Sequence, residues 1–386
     1  MKSAKFRFPR RTGNRFRLLV DGDEFFPVML EAIGAARTSV LLELYLFESG
    51  LLADRFIAAL TAAAARGVCV CLLLDDFGSR LLSRSDRQRL LDAGIRLTFY
   101  NPLARSHWRR NLQRNHRKLL IIDGERAFTG GAGITDLFSA TLRPADYWHE
   151  LMLEIRGPLV ADWQTLFRET WLEVADPPLD LPPAAPQPVV DGANGRVAAH
   201  GRSVHEADIV RSLLKRVRRA RYRVWMATAY FLPSWKLRRA LMRKARAGID
   251  VRLLLPGPHT DHPSVRRLGQ RHYGSLLRSG VRIFEYQPRF LHAKVQLCDS
   301  WASIGSSNLD RWNLRWNLEA NQELDDPDIL QQLERLFRSD FSHSREIDYQ
   351  QWQQRPWHRR RLEQLWAGVE ALVRQLSEPR PPGPPD

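Results

Sequence analysis

Along the first half of the chain, apolar residues fall into two kinds of run that alternate. Short runs rich in β-branched and leucine residues, at 16–20, 39–47, 68–74 and 95–100, predict strands, because a brief continuous apolar stretch between turn signals suits a strand buried on both faces. Longer stretches at 24–36, 52–65 and 86–93 carry apolar residues three and four apart and predict helices. Gly67 and Gly94 follow the last two, where glycine ends a helix without steric cost. Strands alternating with helices predict an α/β sandwich.

The second half repeats this order. A helix at 208–220 answers the first helix, a strand at 223–231 answers the one at 39, and a helix at 235–247 ends at Gly248. A strand at 249–255 and the junction Ser279-Gly280-Val281 complete the match, so the chain reads as an internal duplication. The expected organisation is a basic arm at 1–14, a first lobe at 15–175, a linker at 176–201, a second lobe at 202–342 and a tail at 343–386. Pro177, Pro178, Pro182, Pro183, Pro186 and Pro188 make the linker semi-rigid. In the tail, Leu362, Leu365, Trp366, Val369, Leu372, Val373 and Leu376 line one face of an amphipathic helix behind Arg359, Arg360 and Arg361. That helix suits either the body of the protein or a lipid headgroup layer.

Each half carries the same short motif. Asn115-His116-Arg117-Lys118-Leu119-Leu120-Ile121-Ile122-Asp123 and Leu291-His292-Ala293-Lys294-Val295-Gln296-Leu297-Cys298-Asp299 both read His-x-Lys-x-x-x-x-Asp. Residues two apart on a strand share a face, so His116 points with Lys118 and His292 with Lys294. Asp123 and Asp299 have the other parity and stand in the hairpin turns Asp123-Gly124 and Asp299-Ser300. Chemistry is therefore expected of the His and Lys residues, and bracing of the Asp residues. One such match is weak, whereas two at equivalent places in a repeat are a strong signal.

These paired motifs resemble those of the phospholipase D superfamily. Residues 292–321, HAKVQLCDSWASIGSSNLDRWNLRWNLEAN, are similar to the second half of bacterial cardiolipin synthases, the B type in particular, and the likeness runs from about residue 15 to about residue 340. It implies two duplicated α/β sandwich lobes related by pseudo-twofold symmetry, with one active site at their interface. It also implies catalytic roles for His116, Lys118, Asp123, His292, Lys294 and Asp299. Glu319 in Asn317-Leu318-Glu319 and Glu150 in Trp148-His149-Glu150 match the positions of carboxylates that orient the histidines. Ser306 and Asn308 match a phosphate-binding or orienting Gly-Ser-x-Asn segment. The first lobe departs from this pattern, with Gly133 where Asn is usual. No metal and no cofactor are implied.

The chemistry fits the residue types. A phosphodiester repels nucleophiles, so a cationic clamp (Lys118 and Lys294) and an acid for the leaving alcohol are needed. One histidine attacks phosphorus to give a phosphohistidine while the other protonates the leaving group, and the resemblance favours His116 for attack and His292 as acid. The reaction implied is transfer of a phosphatidyl group from phosphatidylglycerol to an alcohol acceptor.

Composition narrows the partners. Lys and Arg number 59 against 43 Asp and Glu, a net charge of +16, which predicts an anionic partner. An anionic phospholipid membrane surface is expected. Nucleic acid is the rival, for a phosphodiesterase or nuclease of the same fold. The longest apolar runs are far short of the roughly 18 to 20 residues that span a bilayer, and the first twenty residues lack an apolar signal core. Any membrane contact is therefore expected to be peripheral, and the resemblance implies the cytoplasmic side of the inner membrane. Cys69, Cys71 and Cys298 lie in apolar runs and predict neither disulfide nor zinc site. The first lobe carries about ten more residues before its motif than the second, with Arg105, His107, Trp108, Arg109, Arg110 and Arg114 in a basic loop suited to an anionic headgroup.

Overall fold

The computed structural model describes residues 7–103, 110–175, 177, 179–200, 208–310 and 316–355. Of the expected basic loop, residues 104–109 lie outside the described residues, as does the amphipathic helix beyond residue 355. Arg114 departs from expectation: it is buried beside Asp75 and not open to a headgroup. The first half runs β1 (Arg11–Val20), α1 (Gly22–Ala35), β2 (Ser39–Leu44), α2 (Leu51–Ala65), β3 (Cys69–Asp75), α3 (Arg84–Asp92), β4 (Arg96–Tyr100), β5 (Lys118–Ile122), β6 (Arg126–Gly130), β7 (Leu151–Arg156) and α4 (Leu159–Val174). The second half runs β8 (Ala193–His200), α5 (Asp208–Arg219), β9 (Arg223–Ala227), β10 (Phe231–Leu232), α6 (Trp235–Arg246), β11 (Asp250–Pro256), α7 (Pro263–Gln270), α8 (Tyr273–Leu277), β12 (Arg282–Tyr286), β13 (Val295–Cys298), β14 (Trp301–Gly305), β15 (Leu309–Asp310) and β16 (Glu319–Leu324). A helix over Pro327–Ser342, β17 (Ser344–Glu346) and a short helix over Tyr349–Gln353 follow.

Fifteen strands form one continuous sheet in the order β17-β12-β11-β9-β13-β14-β16-β8-β1-β7-β6-β5-β2-β3-β4. Read outward from the β1–β8 pair, the two sides match strand for strand: β7 with β16, β6 with β14, β5 with β13, β2 with β9, β3 with β11 and β4 with β12. The duplication seen in the sequence is thus a pseudo-twofold axis at the centre of the sheet, and the α/β lobes expected from the pattern are present.

Two segments differ from expectation, and both are at that centre. Arg11–Asn14, placed in the basic arm, belongs to β1, and Ala193–His200, placed in the linker, is β8. They pair antiparallel, Arg11 with Gly195 and Asn14 with Ala193, across an irregularity at Gly13, whose φ of 73° bends the strand. The Asn14 amide donates to Arg11 O and Ala193 O, and its Oδ1 accepts from Leu159 N. Arg11 is held by Asp162, and Arg10 by Asp325. Side-chain pairing and small residues, rather than an apolar run, make this seam.

Alternation along β5 and β13 fixes which side chains reach the site. Leu119, Ile121, Val295 and Leu297 point into a shared core with α4 and the helix over Pro327–Ser342. Leu120 and Ile122 point the other way, into the layer of α1 and α2, and Cys298 into the layer of α5 and α6. Each buried leucine-sized side chain stabilises its strand by roughly 1.5 to 3 kcal/mol, so the register of β5 and β13 is secured on both faces.

Candidate active site

His116 and His292 line one cavity of about 350 Å³, with Lys118, Tyr45, Gly131, Gly133, Phe138, Trp148, Tyr230, Asp261 and Asp310 among its walls. Each histidine stands just before an inner strand of its own half, β5 or β13. Its backbone is then tied to the other half: His116 N donates to Leu318 O and Leu318 N to Arg114 O, each at 2.9 Å. Across the axis, His292 N donates to His149 O at 2.8 Å and His149 N to Phe290 O at 2.9 Å. Two short parallel bridges, Asn115 with Leu318 and His149 with Leu291, complete this crossing.

The crossing decides which carboxylate serves which ring. His116 Nδ1 lies 3.0 and 3.1 Å from the two oxygens of Glu319, and His292 Nδ1 lies 2.5 Å from Glu150 Oε2. Each carboxylate therefore backs the histidine of the opposite half, not the one in its own repeat. A carboxylate on Nδ1 holds the proton there and leaves Nε2 with its lone pair toward the cavity, the arrangement a nucleophilic or proton-shuttling imidazole needs.

The lysines close the constellation. Lys118 Nζ donates to His116 O at 2.6 Å and stands 5.3 Å from the centre of the Tyr45 ring. Lys294 Nζ donates to His292 O, lies 2.9 Å from His292 Nδ1 and 3.4 Å from Glu150 Oε2. Burial, opposed by Glu319 and reinforced by Lys294, brings the Lys118 ammonium down to about 7. Burial likewise lowers Lys294 against the pull of Glu150. His292 falls to about 4 through burial and the adjoining Lys294, and His116 is lowered by burial, with Glu319 opposing and both lysines assisting. Burial alone would raise Glu150, but Lys294 and His292 hold it below the usual carboxylate value. Burial, more than mutual repulsion, is what lowers these imidazole and ammonium groups, and a bound anion would favour their charged forms.

Other predicted residues sit elsewhere. Asp123 accepts from the backbone N–H groups of Arg37, Thr38 and Ser39 and from Thr38 Oγ1, and Asp299 accepts from the N–H groups of Arg221, Tyr222 and Arg223. Both lie at the far ends of β5 and β13, roughly 17 Å along the strand from the lysines, so they brace the strand ends and do not touch the site. Ser306 donates through Oγ to Glu319 Oε2 and accepts from Ala320 N, which makes it an orienting residue for Glu319. Its counterpart Gly131 packs on Glu150: an added Cβ would meet Glu150 Oε2 at 2.0 Å. Asn308 does not line the catalytic cavity. Leu309 N donates to Thr228 Oγ1, and Asn308 Oδ1 lies 3.4 Å from the same hydroxyl, which turns the amide toward a second cavity. Gly133 does line the catalytic cavity, and a Cβ there would stand 2.5 Å from Leu46 O.

Several residues escaped the sequence reading. Trp148 packs on the His292 ring at 5.0 Å, and Tyr45 meets the His116 ring edge-on at 4.9 Å. Tyr230, whose hydroxyl donates to Asp261, lies in the segment after β9 as Tyr45 lies in the segment after β2. The strand registers nevertheless set Tyr230 opposite Leu46 and Tyr45 opposite Ala229, so aligning the repeats does not reveal the two tyrosines. Asn115 donates to Glu43, which also faces Arg117, so a buried polar network underlies the first motif. No cluster of His, Cys, Asp and Glu among the described residues is arranged to hold a metal ion, and no helix among them is long and apolar enough to cross a membrane.

Comparison with known proteins agrees with this geometry. The family model described as "Cardiolipin synthase, PLD-like domain" matches residues 29–171 and 213–341. Cardiolipin synthase A of Pseudomonas fluorescens (strain SBW25) is 34% identical over 373 residues, covering 95% of this chain and 76% of the relative. Cardiolipin synthase 1 of Bacillus anthracis is 31% identical over 369 residues, covering 92% and 72%. These relatives carry the A and 1 designations, whereas the flanks of the second motif resemble the B type. Among solved structures, phosphatidylserine synthase of Haemophilus influenzae Rd KW20 superposes with a TM-score of 0.67 at 15% identity over 92% of this chain and 93% of that one, a likeness of fold. With the motif in both halves, the crossed carboxylates and the match over both lobes, the chain belongs to the cardiolipin synthase family of phospholipase D-like proteins.

Proposed function

We propose that the protein is a cardiolipin synthase that moves a phosphatidyl group from one phosphatidylglycerol to the glycerol hydroxyl of another. His116 Nε2 attacks phosphorus and the bond from phosphorus to the departing glycerol oxygen breaks. That oxygen takes a proton from His292, and a phosphatidyl-His116 intermediate results. The acceptor hydroxyl then gives its proton to His292 and attacks phosphorus. The P–N bond breaks, cardiolipin and glycerol leave, and both rings return to their starting state. Lys118 and Lys294 hold the non-bridging oxygens throughout.

The observation that carries this reading is the convergence of both motif histidines, one from each half, and Lys118 on a single cavity, with a carboxylate behind each ring and Lys294 beside His292. His116 Nδ1 meets only Glu319, which favours a free lone pair on Nε2, while Glu150 behind His292 and the charge of a bound phosphodiester favour the imidazolium that donates the proton. The net charge of +16 favours docking on the anionic lipid of the inner membrane's cytoplasmic face.

The test is incubation of purified protein with phosphatidylglycerol vesicles labelled in the phosphatidyl moiety, and separately with DNA. Cardiolipin and glycerol in equal amounts are expected, with label trapped on His116 by a denaturing quench at neutral to alkaline pH, where the P–N bond survives. Phosphatidic acid as the main product would instead mark a phospholipase, and cleaved DNA with untouched lipid a nuclease.

A further inference from the structure

The axis matches the two motifs, but it does not match the walls of the cavity between them. From the first half the cavity takes Leu46, Phe138 and Trp148, and from the second Tyr230, Asp261 and Asp310. Strand register sets Tyr230 at the place of Leu46, so a hydroxyl stands on one side where an alkyl group stands on the other. Beside it, the Asp261 carboxylate is only half used. Its Oδ2 accepts from the Tyr230 hydroxyl at 2.5 Å and lies 3.7 Å from His262 Nε2, whereas its Oδ1 has no hydrogen-bond partner among the described residues. Burial and the charge of Asp261 push the Tyr230 phenol up, so it stays protonated and keeps donating. A carboxylate oxygen in a phosphate-processing cavity repels the phosphate oxygens. What it can bind is a donor on the alcohol that enters or leaves.

We propose that Asp261, held by Tyr230, accepts a hydrogen bond from the hydroxyl next to the reacting one, so that this wall is the alcohol subsite and selects polyhydric alcohols such as the glycerol headgroup. The inference rests on the phosphatidyl-transfer reading, in which His292 passes the proton of both the leaving and the entering alcohol. Both alcohols therefore stand in turn against His292. Burial lowers His292 and Lys294, and Asp261 is among the charges that oppose it, so the carboxylate acts on this pair. The side chains of Leu46 and Phe138, on the other wall, offer a second hydroxyl no partner.

The test is a competition on the full-length protein. Vesicles of dioleoyl phosphatidylglycerol receive equal concentrations of perdeuterated glycerol and 1-propanol, and mass spectrometry measures deuterated phosphatidylglycerol against phosphatidylpropanol. Propanol has the same three carbons and no second hydroxyl. Both products draw on one phosphatidyl-enzyme, so their ratio is independent of the folded fraction and of the first chemical step. Asp261→Asn can keep the Tyr230 bond through its amide oxygen while turning N–H to the alcohol, and it is expected to lower the glycerol-to-propanol ratio about tenfold. Tyr230→Phe, which releases the carboxylate, is expected to lower it about threefold, and it decides the matter if Asp261→Asn makes neither product. Unchanged ratios overturn the subsite and leave phosphatidyl transfer standing. A ratio unchanged for glycerol but lowered for ethanolamine in a parallel competition overturns the polyol assignment in favour of an ammonium. Parent protein that makes phosphatidic acid and neither transfer product removes the transferase reading and this inference together.

Discussion

Glu150 Oε2 lies 2.5 Å from His292 Nδ1 although 142 positions of chain separate them. Glu319 and His116 repeat the relationship across the axis, 203 positions apart. Each half therefore supplies an imidazole that only the other half's carboxylate meets. Glu150→Gln and Glu319→Gln are each expected to lower kcat by on the order of a thousandfold with little change in KM, because an amide on Nδ1 no longer fixes the tautomer or stabilises the charged ring. Steady-state kinetics on vesicles check this. A fall in only one of the two variants would break the proposed equivalence.

Asp123 and Asp299 belong to stability and not to chemistry. Asp123→Ala and Asp299→Ala each leave three backbone N–H groups without a carboxylate. A loss of about 2 kcal/mol in denaturant unfolding is expected, with kcat per folded molecule within about twofold of the parent. A large kcat loss in soluble, folded Asp123→Ala would contradict the bracing role.

Gly133 invites an obvious repair to the usual Asn, and the structure predicts that the repair fails. Its Cβ would lie 2.5 Å from Leu46 O and 2.7 Å from Leu46 Cβ, atoms of the segment that leads from β2 into the cavity wall. Gly133→Asn is expected to cost about 1 to 3 kcal/mol by overpacking and to lower activity. A gain in activity would show that the wall yields and that the missing amide had been a deficit.

His149 links the halves through charge. Its Nδ1 lies 2.7 Å from Asp21 Oδ1 and its Nε2 3.3 Å from Asp340 Oδ2, its ring stacks on Tyr286, and Arg289 holds the other oxygen of Asp21. Burial opposes the charge, but Asp21 and Asp340 push the imidazole up to about 10. A folded pKa above the unfolded value of roughly 6.5 stabilises fully below pH 6.5, and that stability drains away as pH climbs through about 10. His149→Gln is thus expected to cost about 3 kcal/mol at pH 6, the two proteins converging by pH 10. Urea midpoints measured across that range decide it, and a gap that widens with pH would reverse the sign and refute the clasp.

How far the sequence reveals this arrangement depends on whether the information is local. The parity of His116 with Lys118, and of His292 with Lys294, follows from the two-residue period of a strand, and the helix–strand order follows from apolar spacing. The exchange of Glu150 and Glu319 does not, because in each repeat the glutamate follows its own histidine and only the bridges at Asn115 and Leu291 reveal the swap. The strand at Ala193–His200 hides for a different reason: its buried residues include Gly195, Ala198 and Ala199, which pack as small surfaces and leave no apolar signature. Asn308 matches a phosphate motif in spelling, and only the structure adds that its Oδ1 lies 3.4 Å from Thr228 Oγ1 while its buried Nδ2 has no partner among the described residues.

The seam between β1 and β8 is an antiparallel strand pairing laid over an apolar core that draws side chains from both halves, so the two are not separate bodies. A jaw-like swing of one half against the other would tear hydrogen bonds out of the middle of the molecule, so the sheet acts as a stiff girder beneath the reacting atoms. Access to the cavity must then be managed by side chains at its rim, such as Tyr230 on Asp261, while the gap between the two imidazoles is kept constant by the sheet beneath them.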